Sequence, residues 1–449
     1  MDAAELDYQT RTYSGCITPH LVTRLLELGY CDEVEFWGGH GEWFCAQAWA
    51  RLLSAQGRQA EALDVLAPYV DTDWWTAVRF AAVLLEEWGR AEEAIALIRR
   101  HTKTGGRLMA DFLGRLLTRH GRGDEAFELL RPHIRDWVLA AALVEVAEAT
   151  GRQEEVAGLL AARIEASDGC QTPGCSQRGT GPDNAIGLLA GIREHQGRID
   201  EAIALLHTRE ITSVNSRDQL ADLLARNGRI DQLRAYAQVE YHGHAAQRLA
   251  ELFEERGDIE AAIAVYRQPG DSQARQVNGA VQLAQLLERH GRGDEAITVI
   301  RSLADSPGGA QDWIVDTLCT LYADQDRPLE GLAYLDALKS RRGEEEWEFF
   351  RIRLTSMAAA QRRDEAIELA RAHPEGDTWY AAAAIADMLA EGGHTEEAVA
   401  VLEQHSADSS TLAWHLIDLG RVQDAVAAVR KRKPRRGEPA HETGESRPG

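Results

Sequence analysis

The apolar positions of this chain follow one pattern many times over. A Leu is followed by a small residue and, three positions later, by a large apolar one: Leu113, Gly114 and Leu117; Leu220, Ala221 and Leu224; Leu249, Ala250 and Phe253; Leu283, Ala284 and Leu287. Eight residues after that Leu stands a Gly or its substitute. Five residues beyond the Gly comes a second small residue, and four further on a bulky one: Ala126 and Leu130, Ala202 and Leu206, Ala262 and Tyr266, Ala296 and Ile300. Spacings of three and four put the apolar residues of each half on one face of a helix. The pattern therefore predicts pairs of short amphipathic helices that turn at the Gly and meet through their small residues.

The turn has its own signature: Gly, usually Arg, any residue, an acid, Glu, Ala. It reads GRQAEA from Gly57, GRAEEA from Gly89, GRGDEA from Gly121 and Gly291, GRIDEA from Gly197 and GRVQDA from Gly420, with weaker copies at Asp326 and Gln361. Thirteen copies, the first at Gly29, lie 27 to 35 residues apart with one gap of 46. That period belongs to arrays of helix hairpins. The Gly supplies a left-handed residue that ends the first helix, and the acids sit in the first turn of the second, where the helix dipole favours negative charge.

The arrangement resembles the tetratricopeptide repeat over about residues 19–430. The resemblance implies an all-α, right-handed superhelical solenoid of about 12–13 hairpins, preceded by a segment 1–18. The family's Trp and Pro positions differ here. Trp43, Trp75, Trp137, Trp347 and Trp379 lie fourteen residues before their loop position and Trp313 lies thirteen before, while Pro68, Pro132, Pro269 and Pro374 follow it by eleven to thirteen. Since Pro is poorly tolerated inside a helix, second helices are expected to be short. Acids precede several of these Trp, as in Glu42, Asp136 and Glu346, and are read as helix caps with the Trp packed between repeats. A row of exposed Trp anchors is the alternative.

Composition narrows the function. The chain has 449 residues and a formal net charge of -23. Setting aside residues 430–449, which hold 7 basic and 3 acidic residues, leaves -27 on the remainder. Such a body is opposite in sign to what phosphate binding requires. No apolar run approaches the roughly 20 residues of a membrane span, the N-terminal residues do not read as a signal peptide, and six cysteines make no disulfide framework. The cytoplasm is the expected compartment. No P-loop, H-E-x-x-H or G-x-S-x-G motif is present, so neither catalysis nor a cofactor is expected, and the exposed loop holding His242 and His244 needs no catalytic explanation.

Two segments break the pattern. Residues 167–182 form a Gly-, Pro- and Ser-rich insertion with Cys170 and Cys175 in C-x4-C. A zinc site needs two further ligands, so a plain loop is favoured over zinc or a redox pair. Residues 430–449 are polar and Pro-rich, an expected disordered tail whose basic cluster, Arg430 to Arg436, is the one place suited to nucleic acid or to an acidic protein face.

The resemblance also implies a concave face lined by first-helix residues ten and six before each loop position. These include Arg51, Arg79 and Arg115, then Asp218, Asp222 and Glu251. Asn184, Asn215 and Asn278 stand thirteen before theirs, with helix capping as the competing reading. The expected function is a non-enzymatic protein-interaction scaffold or adaptor, taking a polypeptide in this groove and a basic one at its acidic centre. Nucleic-acid binding through the tail, or service as an enzyme's accessory subunit, are the alternatives.

Overall fold

A computed structural model describes residues 2–167, 182–209, 218–240, 243–268, 273–405 and 409–430. Cys170, Cys175, Asn215, His242, Pro269 and the tail beyond Arg430 lie outside them. All regular structure among the described residues is helical. The predicted hairpins are there: Trp43–Ala55 with Gln59–Val70, Trp137–Thr150 with Gln153–Ser167, His244–Glu255 with Ile259–Tyr266, and Asp312–Asp324 with Pro328–Arg342. Segment 1–18 contributes a further helix, Ala3–Thr12, which buries Leu6.

All thirteen loop positions are left-handed. Eleven are Gly with φ between 66° and 85°, and Asp326 and Gln361 reach 57° and 62° with a side chain in place. The left-handed residue redirects the backbone so that the next N–H returns to the first helix. Arg58, Arg90 and Arg292 donate to the carbonyls of Leu53, Leu85 and Leu287 at 2.8–2.9 Å, which satisfies carbonyls that the helix end would otherwise leave open.

The small residues set how closely the two helices approach. Ala50, Ala62, Ala82, Ala94, Ala190 and Ala202 are wholly buried, and a Cβ added to Gly114 would lie 2.7 Å from Cδ1 of Leu130. Second helices are short where Pro follows: Gly123–Leu130 ends before Pro132 and Arg363–Ala372 before Pro374. Pro68 departs from this. It sits inside Gln59–Val70, two residues before its end, so the helix continues only to Val70 beyond it.

The Arg of the signature has a role that the sequence reading did not assign. It occupies the N-cap position of the second helix, where residues with side-chain acceptors are preferred, and a guanidinium only donates. It reaches forward instead, to the acid three residues on. The pairs Arg58–Glu61, Arg90–Glu93, Arg122–Glu125, Arg152–Glu155, Arg198–Glu201, Arg292–Glu295, Arg327–Glu330, Arg362–Glu365 and Arg421–Asp424 form at 2.5–3.2 Å. A second nitrogen of the same Arg often takes the acid beside the Glu in the preceding hairpin. Arg198 takes Glu154 at 3.4 Å, Arg229 takes Asp200 at 3.0 Å, Arg292 takes Glu260 at 2.6 Å, and Arg327 takes Asp294. Arg198, Arg292 and Arg327 thus staple both their own helix start and one neighbour.

Contacts divide the chain into two compact units: residues 1–109 with 367–449, and residues 110–366. The second is a run of hairpins with cores around Leu224, Leu249, Leu287 and Leu318. The first joins the beginning and end of the chain. Leu21 and Leu25 of helix Pro19–Glu27 share a core with Leu416 and Ile417 of helix Ser409–Asp418 and with Val422 and Val426 of helix Val422–Arg430. Arg24 Nε bonds Asp418 at 2.7 Å, and the His20 and Trp414 rings stack at 5.9 Å. Glu42, buried, accepts from the Ile17 N–H at 2.9 Å and pairs with Arg430 at 3.2 Å. Arg430 in turn covers the Trp37 ring at 4.9 Å. Burial pushes the Glu42 carboxyl above its ordinary pKa, only partly offset by the Ile17 N–H and Arg430. Glu42 does not cap the helix that follows it; it ties the two ends of the chain together.

Two outcomes are expected. A left-handed residue with a Cβ costs about 1–2 kcal/mol, less the entropy a Gly loses on folding. Asp326→Gly and Gln361→Gly should therefore each raise unfolding free energy by about 1 kcal/mol in urea melts. An unchanged midpoint would show that these loops relax around their side chains. The second concerns pH. Hydrogen bonds from Arg hold Glu61, Glu93, Glu201, Glu295, Glu330 and Glu365 below the ordinary value of 4.5. A carboxylate with a depressed folded pKa stabilises the protein above its unfolded pKa and ceases to as pH falls through the folded one. Melting temperature should hold down to about pH 5 and fall below it, and Arg292→Gln with Arg327→Gln should flatten the fall.

Candidate binding surface on the first helices

Positions ten and six before a loop are four residues apart, so they lie on one helix face. Positions eight, seven and four before it face the core. In His244–Glu255 this separates Gln247 and Glu251 from Leu249, Ala250 and Phe253. The same register lines a pocket in each unit.

In residues 110–366, Asp218, Asp222, Gln247 and Glu251 line a pocket of about 190 Å³ together with Ala221, His244 and Arg248. The three acids expected in the groove are thus brought together, but they differ in kind. Asp218 is 4% exposed. Its Oδ1 accepts from the Leu220 and Ala221 N–H groups at 3.0 and 3.1 Å, and its Oδ2 accepts from the Tyr236 hydroxyl at 2.7 Å. It is a buried helix cap, which corrects its reading as a surface groove residue. The Tyr236 hydroxyl is pushed up by burial and then by donating to Asp218.

Asp222 and Glu251 line the pocket with Arg248 between them, Glu251 half-exposed and Asp222 mostly buried. Arg248 is 3.5 Å from Asp222, 3.3 Å from Glu251 and 3.0 Å from Glu255, and Gln247 donates to Glu251 at 3.0 Å. The acidic centre therefore carries a guanidinium that the two groove positions alone did not reveal. Arg248 stands nine before its loop, one step round the helix. Glu254 is engaged by Arg289 and His290 of the next hairpin, both at 2.9 Å.

In residues 1–109 the register residues of three successive first helices converge. Pro19 and Thr23, Gln47 and Arg51, and Arg79 and Val83 line a pocket of about 400 Å³. Arg51 pairs with Glu87 and lies 5.0 Å from the Phe80 ring centroid. Arg79 is exposed. Arg115 is held by Asp111 at 2.9 Å and by Glu145, so its charge is matched. Its pKa is raised, first by the bond to Glu145.

Asn184 and Asn278 are exposed and lie inside helices Pro182–His195 and Gln273–Arg289. Neither is at a cap, so the capping reading fails for both. The acid–Trp pairs also divide. Asp136 caps its helix through the Val138 N–H at 3.0 Å, and Trp43 is buried against Tyr69, Trp74 and Phe80. Trp137, Trp313 and Trp379 are instead 48%, 42% and 58% exposed.

Among the described residues no group of three or more His, Cys, Asp or Glu is placed to hold a metal ion, and no helix is long and apolar enough to cross a membrane.

No protein family and no curated protein matches the sequence. Solved structures that resemble it are helical-repeat proteins. Against a structure of Naa15/Naa10 bound to HypK-THB, identity is 15%, coverage is 91% of this chain and 74% of that one, and the TM-score is 0.39. Against the pentatricopeptide repeat protein PPR10 from maize the values are 13%, 91%, 67% and 0.33. Against yeast Tom70 they are 12%, 91%, 94% and 0.31. The likeness reaches no further than helical architecture. In fold, the described residues form an all-α array of helix hairpins turning at left-handed loop residues, the architecture that the tetratricopeptide resemblance implied.

Substitutions in the acidic pocket should separate by role. Asp218→Ala leaves two N–H groups and a hydroxyl without their acceptor and should destabilise by about 1–3 kcal/mol. Asp222→Asn and Glu251→Gln should leave the thermal midpoint nearly unchanged. Equal losses from all three would place all three acids in the structural core.

Proposed function

We propose that this chain is a non-enzymatic scaffold that binds polypeptide segments along its first-helix faces. The observation that carries the reading is the register. In both units the pockets are lined by residues ten and six before the loop, drawn from successive hairpins. Such a surface repeats with the hairpin, and apart from the buried Asp218 the register residues lining the two pockets lie outside the core, free to differ in chemistry. An extended chain laid across successive first helices would meet one such pair per hairpin. The Tom70 and Naa15 likenesses add nothing to this argument beyond fold.

The finer reading is that the pocket around Asp222 and Glu251 takes a basic stretch. The half-exposed Glu251 and the mostly buried Asp222 flank one guanidinium there, with the exposed Glu255 close by. A concave surface of one dominant sign speeds capture of the opposite charge, and Arg115 offers no opposing field because its own acids match it.

The test is calorimetry with short Lys- and Arg-rich peptides blocked at both ends. Wild type should bind, and binding should weaken as salt shortens the screening length below about 8 Å. Glu251→Lys should lower affinity by about tenfold or more at an unchanged melting temperature. Undiminished binding by this variant would rule out the pocket as the contact.

A further inference from the structure

The pocket in residues 1–109 has a different chemistry from the acidic one. Its floor is apolar, formed by Val22, Leu26, Phe44, Phe80 and Val83, and no Asp or Glu lines it. Its volume, about 400 Å³, lies within the range of pockets that accept a ligand group. Tyr13, 54% exposed, carries the apolar surface outward, its ring 5.8 Å from that of Phe44.

Two guanidiniums stand over this floor in unequal states. Arg51 is held in place by Glu87 and by the Phe80 ring. Arg79 lies in the same pocket, exposed, and makes no ion pair or hydrogen bond with any described residue. Arg58 and Arg90 of the same unit are both clamped to acids. A cation without a partner beside a solvent-open apolar floor fits a ligand that brings a carboxylate and a bulky apolar group together. Two guanidiniums are too few for a nucleic-acid track, which gains affinity by neutralising many phosphates.

We infer that this pocket takes an internal segment of a partner polypeptide in which an Asp or Glu neighbours a bulky apolar side chain. The carboxylate meets Arg79 and the apolar group rests on Phe44, Phe80 and Val83. The inference rests on the reading of first-helix faces as polypeptide-binding. It adds that the two units select opposite charges, so that a partner carrying both kinds of stretch is read by both.

The experiment uses the full chain and fluorescence anisotropy with three labelled peptides, each acetylated and amidated so that side chains supply the only charges. One combines Glu with Leu and Phe, one combines Glu with Ser and Gly, and one combines Lys with Leu and Phe. At the Arg79 pocket the first should bind at least about tenfold more tightly than the second. Arg79→Glu, and separately Val83→Glu, which sets a carboxylate inside the pocket, should each weaken the first peptide by about tenfold or more. Both variants should keep the wild-type melting temperature and the affinity for a Lys-rich peptide. Equal binding of the first two peptides, or undiminished binding by both variants, overturns the inference. If the first peptide fails while the Lys-rich one binds, this inference falls alone. If neither binds, the reading of the first-helix faces falls with it.

Discussion

Each hairpin of this chain has more apolar surface than it can cover by itself, and the rest of the structure follows from that constraint. The small residues bring its two helices together, but the large ones, such as Leu53, Leu85 and Leu117, are buried only when neighbouring elements pack against them. In a repeat array this makes stability a property of neighbours. It also leaves the outer face of a first or last hairpin without cover. In residues 1–109 and 367–449 the two are set against each other: Leu21 and Leu25 pack with Leu416 and Ile417, and ion pairs from Arg24 and Glu42 close the seam.

The charge of the chain has to be read through the same geometry. A net of -23 suggests acidic faces throughout, yet many carboxylates are committed to the fold. In most copies the acid three residues after the signature Arg is held by that Arg, and in several an acid of the preceding hairpin is held as well. Each exposed pair contributes little alone, but where it repeats it ties a hairpin start to its neighbour. What remains variable is most of the first-helix face, where, Asp218 apart, neither core packing nor the Arg clamp dictates the residue. There one unit presents Arg51 and Arg79 over an apolar floor, and the other presents Asp222 and Glu251 around Arg248.

The sequence by itself determined the turns, the helix order, the core positions and the register of the candidate surface. These depend on residues within one hairpin, where a left-handed Gly and apolar spacings of three and four leave a single geometric solution. Even Asp326 and Gln361 keep the left-handed turn, because the flanking helices fix it. Tertiary structure alone decided the fate of the polar groups. Nothing local separates Asp218, buried under the Tyr236 hydroxyl eighteen residues away, from Asp222, which faces the pocket. Nor does spacing show that Arg248 enters the acidic cluster, since a long side chain reaches across to the neighbouring hairpin. The union of the chain's ends was least accessible of all. Arg24 and Asp418 stand 394 residues apart, and the spacings within a single repeat carry no information about a pairing at that separation.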